Sequence, residues 1–134
     1  MAKIRHIAYR SKDPETMVKF FVDAFEMVVA ERRPSGAIDL TDGTLNITIL
    51  PMARVTSDGR EAHPGIDHMG FTVEDTDEFR QRLLAAGATE LNTIGTGSAH
   101  FEVKFAGPEG IVVDIGHWAG TAPLPEAEPS MAKA

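Results

Sequence analysis

A six-residue pattern near the start of the chain returns near its middle. Ile4-Arg5-His6-Ile7-Ala8-Tyr9 and Ile66-Asp67-His68-Met69-Gly70-Phe71 are short alternating runs, each with histidine in third place and a small residue two positions later. Sixty-two positions separate His6 from His68, and the same offset carries Asp13 onto Asp75, each just ahead of a helical pattern. Self-similarity at a fixed interval marks a chain built from copies of one supersecondary unit. With 134 residues, both copies must share one compact domain.

The alternation makes each run a half-buried strand. A helix follows in the first copy, with Asp13 as N-cap, Pro14 at its first position and Met17, Phe20, Phe21 and Phe25 as an apolar stripe assigned to the core. In the second copy Asp75 or Thr76 starts the helix, Phe79, Leu83 and Leu84 form its stripe, and Gly87 stops it. Three strands are expected after each helix: 28–33, 37–41 and 44–50, then 90–94, 100–105 and 111–116. Turn formers fall between them at 34–36, 42–43, 95–98 and 107–110. The fold class is therefore α+β, two βαβββ modules forming an incomplete barrel. Residues 1–118 make a single domain, with module one at 3–50, a linker at 51–64 and module two at 65–118. Pro123, Pro125 and Pro129 punctuate a Pro/Ala-rich tail, 119–134, with no core pattern.

Composition narrows the partners. Cysteine is absent, which removes disulfides, thiolate metal sites and a cysteine nucleophile, and fits a reducing cytoplasm. No stretch approaches the ~20 apolar residues of a membrane span, and Met1 to His6 hold no apolar signal-peptide core. The net charge is −7 with thirteen scattered basic residues, so a nucleic-acid partner is not expected. A small molecule is.

Alternation also assigns side chains to faces. If the helices cover one face of a curved sheet, Leu45, Ile47, Ile49, Phe101, Val103, Phe105, Ile111, Val113 and Ile115 face them. The other face then carries Thr44, Asn46 and Thr48, His100, Glu102 and Lys104, Val112, Asp114 and Gly116, with His6 and His68. His6, Asn46, His68 and Asp114 thus converge on one cavity. A lone strand histidine is usually structural, but two at equivalent repeat positions with a carboxylate on the same face have the composition of a facial triad. That set suits Fe(II), Mn, Co, Ni or Zn. Asn46 adds a weak fourth oxygen or holds a water, and His100 and Glu102 are the general acid/base candidates. Arg5 and Arg10 read as solvated surface charges, His63 as an exposed linker residue, and His117 and Trp118 as cavity rim or subunit contact.

At these residues the chain resembles the vicinal-oxygen-chelate superfamily, which includes glyoxalases, methylmalonyl-CoA epimerase, extradiol dioxygenases and bleomycin-binding proteins. The resemblance covers about residues 3 to 118. It rests on Ile4 to Ala8, on Gly65 to Val73, and on Gly107-Pro108-Glu109-Gly110 leading into the strand with Asp114. It implies His6 and His68 as histidine ligands, Asp114 as the carboxylate ligand and Asn46 where glyoxalase I has a glutamate. Asp114 is one methylene shorter than the usual glutamate, and Asn46 cannot be a carboxylate base. The resemblance implies a homodimer. It also implies a metal-dependent lyase or isomerase of glyoxalase/epimerase type, with two alternatives: an Fe(II)-dependent ring-cleaving dioxygenase, or a non-enzymatic small-molecule-binding protein.

Overall fold

The computed structural model describes residues 1–56, 59–95 and 101–116, without the side chains of 92–95 and 101–102. Module one runs β1 (Lys3–Ser11), α1 (Pro14–Phe25), β2 (Val28–Arg32), β3 (Ile38–Thr41) and β4 (Asn46–Pro51). Module two runs β5 (Gly65–Thr72), α2 (Thr76–Ala85), β6 (Thr89–Gly95), β7 (Phe101–Ala106) and β8 (Val112–Gly116). The order is βαβββ twice, as the repeat requires. All eight strands join one curled, unclosed sheet in the order β2-β3-β4-β1-β5-β8-β7-β6. The two halves meet at β1 and β5, which pair antiparallel, while β1 pairs β4 and β5 pairs β8 in parallel.

Both helices start on the expected caps. Asp13 accepts from Thr16 N, with Pro14 first in the helix, and Asp75 accepts from Glu78 N. Beyond α2, Gly87 takes φ +97, a left-handed turn that costs glycine little. Each helix covers its own core. Under α1 lie Val18, Met27, Ile38, Leu40 and Ile49, with Tyr9, Met17, Phe21 and Val22 against them. Under α2 lie Val73, Val103, Phe105 and Ile115, with Phe71, Phe79, Leu83 and Val113.

Several expected core residues are not there. Phe20 and Phe25 are exposed, because α1 turns Met17, Val18, Phe21 and Val22 inward instead; the two stripes differ by a small rotation that the spacing alone does not resolve. Leu84 is likewise exposed on α2. Ile111 is exposed because it follows a one-turn 3-10 helix, Pro108–Gly110, ahead of β8, and Thr44, expected on the cavity face, is exposed in the Asp42 turn ahead of β4. Residues 117–134, including His117, Trp118 and the tail, lie outside the described residues. Among the described residues no helix is long and apolar enough to cross a membrane.

Candidate metal centre

The strand register lines up one residue from each of six strands: Thr41 opposite Asn46, Asn46 beside His6, His6 opposite Gly70, Gly70 beside Asp114, and Asp114 opposite Lys104. Every member of this row is buried. His68 lies two residues before Gly70 and so projects on the same side. The concave face expected from alternation therefore exists, and it carries His6, His68, Asp114, Asn46 and Lys104 together.

Two irregularities sharpen it. Pairing between β1 and β5 slips between Ile4 and His6, which leaves Arg5 without an opposite residue, and again at Asp67, between the pairs Ala8–His68 and Tyr9–Ile66. The residue before each histidine is thus the extra one of a bulge, a device that re-aims side chains. Arg5 is only 2% exposed, and burial lowers its guanidinium to about 10. Arg10 is also buried, donating from Nη1 to Pro51 O at 2.7 Å. Both arginines were expected on the solvated surface; Arg5 is the extra residue of a bulge, for which simple alternation has no place, and Arg10 shares the buried face of His6 and Ala8, against Pro51 O and Asp67.

His6 Nε2 and His68 Nε2 stand 3.2 Å apart, with the rings at 89° to one another. Asp114 Oδ2 is 3.1 Å from His68 Nε2 and 3.4 Å from His6 Nε2. The three residues present ligand atoms that all lie within 4.8 Å of one another. Gly70 makes this approach possible. A Cβ there would meet His6 Cε1 at 2.2 Å, His6 Nδ1 at 2.5 Å and Asp114 Oδ1 at 2.7 Å, distances no side chain tolerates.

The donor set fits a divalent ion. Two imidazoles and one carboxylate converge, and Asp114 Oδ2 makes no hydrogen bond of good geometry although it is buried beside both rings. Asn46 Oδ1, next to His6, is also buried without a hydrogen-bond partner. Convergent lone pairs left unsatisfied in a buried site call for a cation or its water. Behind His68, Asp67 Oδ2 lies 2.7 Å from Nδ1 and 3.1 Å from Arg60 Nη2, with Arg10 Nε 3.6 Å from Oδ1. That carboxylate holds the Nδ1–H tautomer, which turns the Nε2 lone pair toward Asp114 and His6.

Burial opposes a charged His68, yet the carboxylates of Asp114 and Asp67 outweigh it and raise this ring above its ordinary value. Burial also pushes both carboxyls upward. His6 and His68 overcome that at Asp114, and His68 and Arg60 overcome it at Asp67, so both sit well below the usual carboxylate range. Lys104 completes the cluster, with Nζ 3.2 Å from His68 Nε2, 3.4 Å from His68 Nδ1 and 3.7 Å from Asp114 Oδ2.

Of the acid/base candidates, His100 falls outside the described residues. Glu102 lies on β7 opposite Ile94, with its side chain outside them. Asp67 and Lys104 escaped assignment from sequence. The only signals were an acid adjoining one repeat histidine and a lysine on the cavity side of its strand.

Residues 3–115 match the family model of the Glyoxalase/Bleomycin resistance protein/Dioxygenase superfamily. The chain belongs to that superfamily. Among solved structures, a methylmalonyl-CoA epimerase in complex with methylmalonyl-CoA and NH4+ is similar, with TM-score 0.68 and 16% identity over 92% of this chain and 99% of that one. The methylmalonyl-CoA epimerase of Mycobacterium tuberculosis gives 0.67 and 16% over 87% and 88%. The 2,3-dioxygenase LapB from Pseudomonas sp. KL28 gives 0.70 and 19% over 91% of this chain but 42% of its own length. At such identities the likeness shows the fold alone. No curated protein matches in sequence.

Proposed function

We propose that this chain is a metal-dependent lyase or isomerase of the glyoxalase/epimerase type, acting on a small substrate that binds through two adjacent oxygens. The observation that supports it is the buried convergence of His6, His68 and Asp114 around unsatisfied lone pairs. A divalent ion held there supplies Lewis-acid stabilisation of charge on a substrate oxygen. The chain's own residues do the rest. Asp67 fixes the ring of His68, and Gly70 lets His6 and Asp114 close on one point. We assign proton transfer to His100 or Glu102, the two candidates that sequence alternation puts on the cavity side. Asn46, with its orphaned oxygen beside His6, positions a water or adds a weak ligand.

A second reading has one observation in its favour. In the register of module one, Thr48 opposes Ala8 as Asp114 opposes Gly70, and Thr48 donates instead to Asp39 at 2.7 Å. The carboxylate count then stops at one, the two-histidine, one-carboxylate set of Fe(II) ring-cleaving oxygenases. The two readings separate on loaded protein. Exchange of a carbon-bound proton in a 1,2-dioxygenated substrate by the Co, Ni, Mn or Zn form supports the first. Oxygen uptake with a catechol by the Fe(II) form alone supports the second. A small-molecule ligand whose affinity ignores metal and His68→Ala contradicts both and leaves a binding protein.

A homodimer, in a reducing cytoplasm, goes with this proposal. It would cover part of the exposed apolar set that includes Phe20, Phe25 and Ile66.

A further inference from the structure

Lys104 stands where a metal centre should least welcome it. Its side chain is 4% exposed, and its Nζ lies near the carboxylate oxygen and one ring of the candidate ligand set. The near-equal distances to both nitrogens of His68 place the ammonium over the face of the ring rather than in line with either lone pair. The lone pair of Nε2 stays directed at His6 and Asp114, with a fixed positive charge alongside. An ion held by His6, His68 and Asp114 would share this buried cluster with that charge.

The charges then count as follows. Among the described residues Asp114 and Lys104 cancel at the ligand point, and behind His68 the single charge of Asp67 faces two cations, Arg60 and Arg10. Adding a divalent ion leaves an excess of three positive charges among these groups, in surroundings that screen them poorly. A ligand that brings two negative charges to adjacent oxygens offsets most of that excess. A neutral chelator does not.

We propose, building on the metal-centre reading above, that Lys104 is a specificity-determining residue: its ammonium weakens the metal alone and strengthens the metal together with a doubly anionic chelating ligand. Metal and substrate therefore bind cooperatively, and substrates able to carry charge on both adjacent oxygens are selected over neutral ones. The coupling is reciprocal, since whatever the dianion does for the metal, the metal does for the dianion.

The test uses Zn(II) and oxalate, a dianion with adjacent oxygens, on the full chain. Zinc affinity is measured by competition with a chromophoric chelator, and oxalate affinity by calorimetry on zinc-loaded protein, for wild type, Lys104→Met and Lys104→Arg. The expected result is crossed. Lys104→Met should bind zinc about tenfold more tightly and oxalate about tenfold more weakly, while Lys104→Arg, which keeps the charge, should lie nearer wild type than Lys104→Met for both ligands. A damaged site would weaken both ligands together, so that outcome overturns the proposal, as does a Lys104→Met protein identical to wild type. Either of these leaves the metal-centre reading standing, because zinc is still bound by wild type. If no protein of the three takes up zinc, the same titrations are run with Fe(II), Mn, Co and Ni, and failure with all five brings down the metal-centre reading and the proposal with it.

Discussion

The two modules share a backbone plan and carry opposite chemistry on it. Register pairs the positions without ambiguity: His6 corresponds to His68, Ala8 to Gly70, Thr48 to Asp114, Asp39 to Lys104 and Arg5 to Asp67. Three of those five pairs change charge. In module one the carboxylate sits on the outer strand, where Asp39 is wholly buried, takes a bidentate grip from Arg33 at 2.7 and 3.0 Å, and accepts from Thr48. In module two the carboxylate has moved one strand inward, to Asp114, and a lysine has taken the outer place. Module one is locked as structure, and module two faces its histidine with an acid whose lone pairs remain available. A duplicated fold can thus build one asymmetric site at its symmetric seam.

Breaking the locked half should cost most in stability. Arg33→Ala strips the bidentate partner from a fully buried carboxylate, and should lower unfolding free energy by about 3 kcal/mol in urea denaturation while leaving metal stoichiometry unchanged in protein that stays folded. Gly70→Ala should cost about 2–3 kcal/mol and abolish metal binding, since the added methyl falls within van der Waals radii of His6 and Asp114. The mirrored Ala8→Gly should cost only about 1 kcal/mol and keep the metal, as no ring occupies its space by necessity. If the two exchanges behaved alike, the asymmetry drawn here would be wrong. Asp67→Asn should weaken metal affinity by about 10–100-fold with little loss of fold, whereas Arg5→Met should not act on metal through a ring tautomer.

The pH dependence has a defined sign. His68 is raised in the fold, so in metal-free protein its contribution to stability is complete below the unfolded value near 6.5 and disappears as pH rises through the raised one. Metal competes for the same nitrogen, so metal affinity should climb across that window. Chemical denaturation without metal and metal titration should therefore slope in opposite directions as pH rises above about 6.5. The smallest effect belongs to Leu84→Ser on the exposed side of α2, expected within about 0.5 kcal/mol of wild type.

The comparison also shows what a single sequence reveals. His6, His68 and Asp114 were legible because offset and alternation are local properties. The βαβββ order, the caps at Asp13 and Asp75 and the stop at Gly87 were legible for the same reason. Arg5 and Asp67 were not, because bulges come from pairing between strands and leave no trace in alternation, and Arg10 was not, because its partners Pro51 and Asp67 are brought to it by β4 and β5. Lys104 was placed on the correct face, but its contact with His68 depends on β5, β8 and β7 lying side by side. Phe20 and Phe25 show the limit of helical spacing, since the apolar set spans more of α1 than one face can bury. The equivalence of Thr48 and Asp114 was hidden because sixty-six positions separate them, against sixty-two for the histidines.

The central claim, that His6, His68 and Asp114 together hold a divalent ion, is tested most directly by elemental analysis after reconstitution with Fe(II), Mn, Co, Ni and Zn in turn and removal of excess metal. Wild type should retain close to one ion per chain of at least one of these metals, Thr48→Ala should retain the same, and His68→Ala and Asp114→Ala should retain none. A wild type that keeps no metal under any of these conditions, or an Asp114→Ala protein that keeps it fully, would contradict the account.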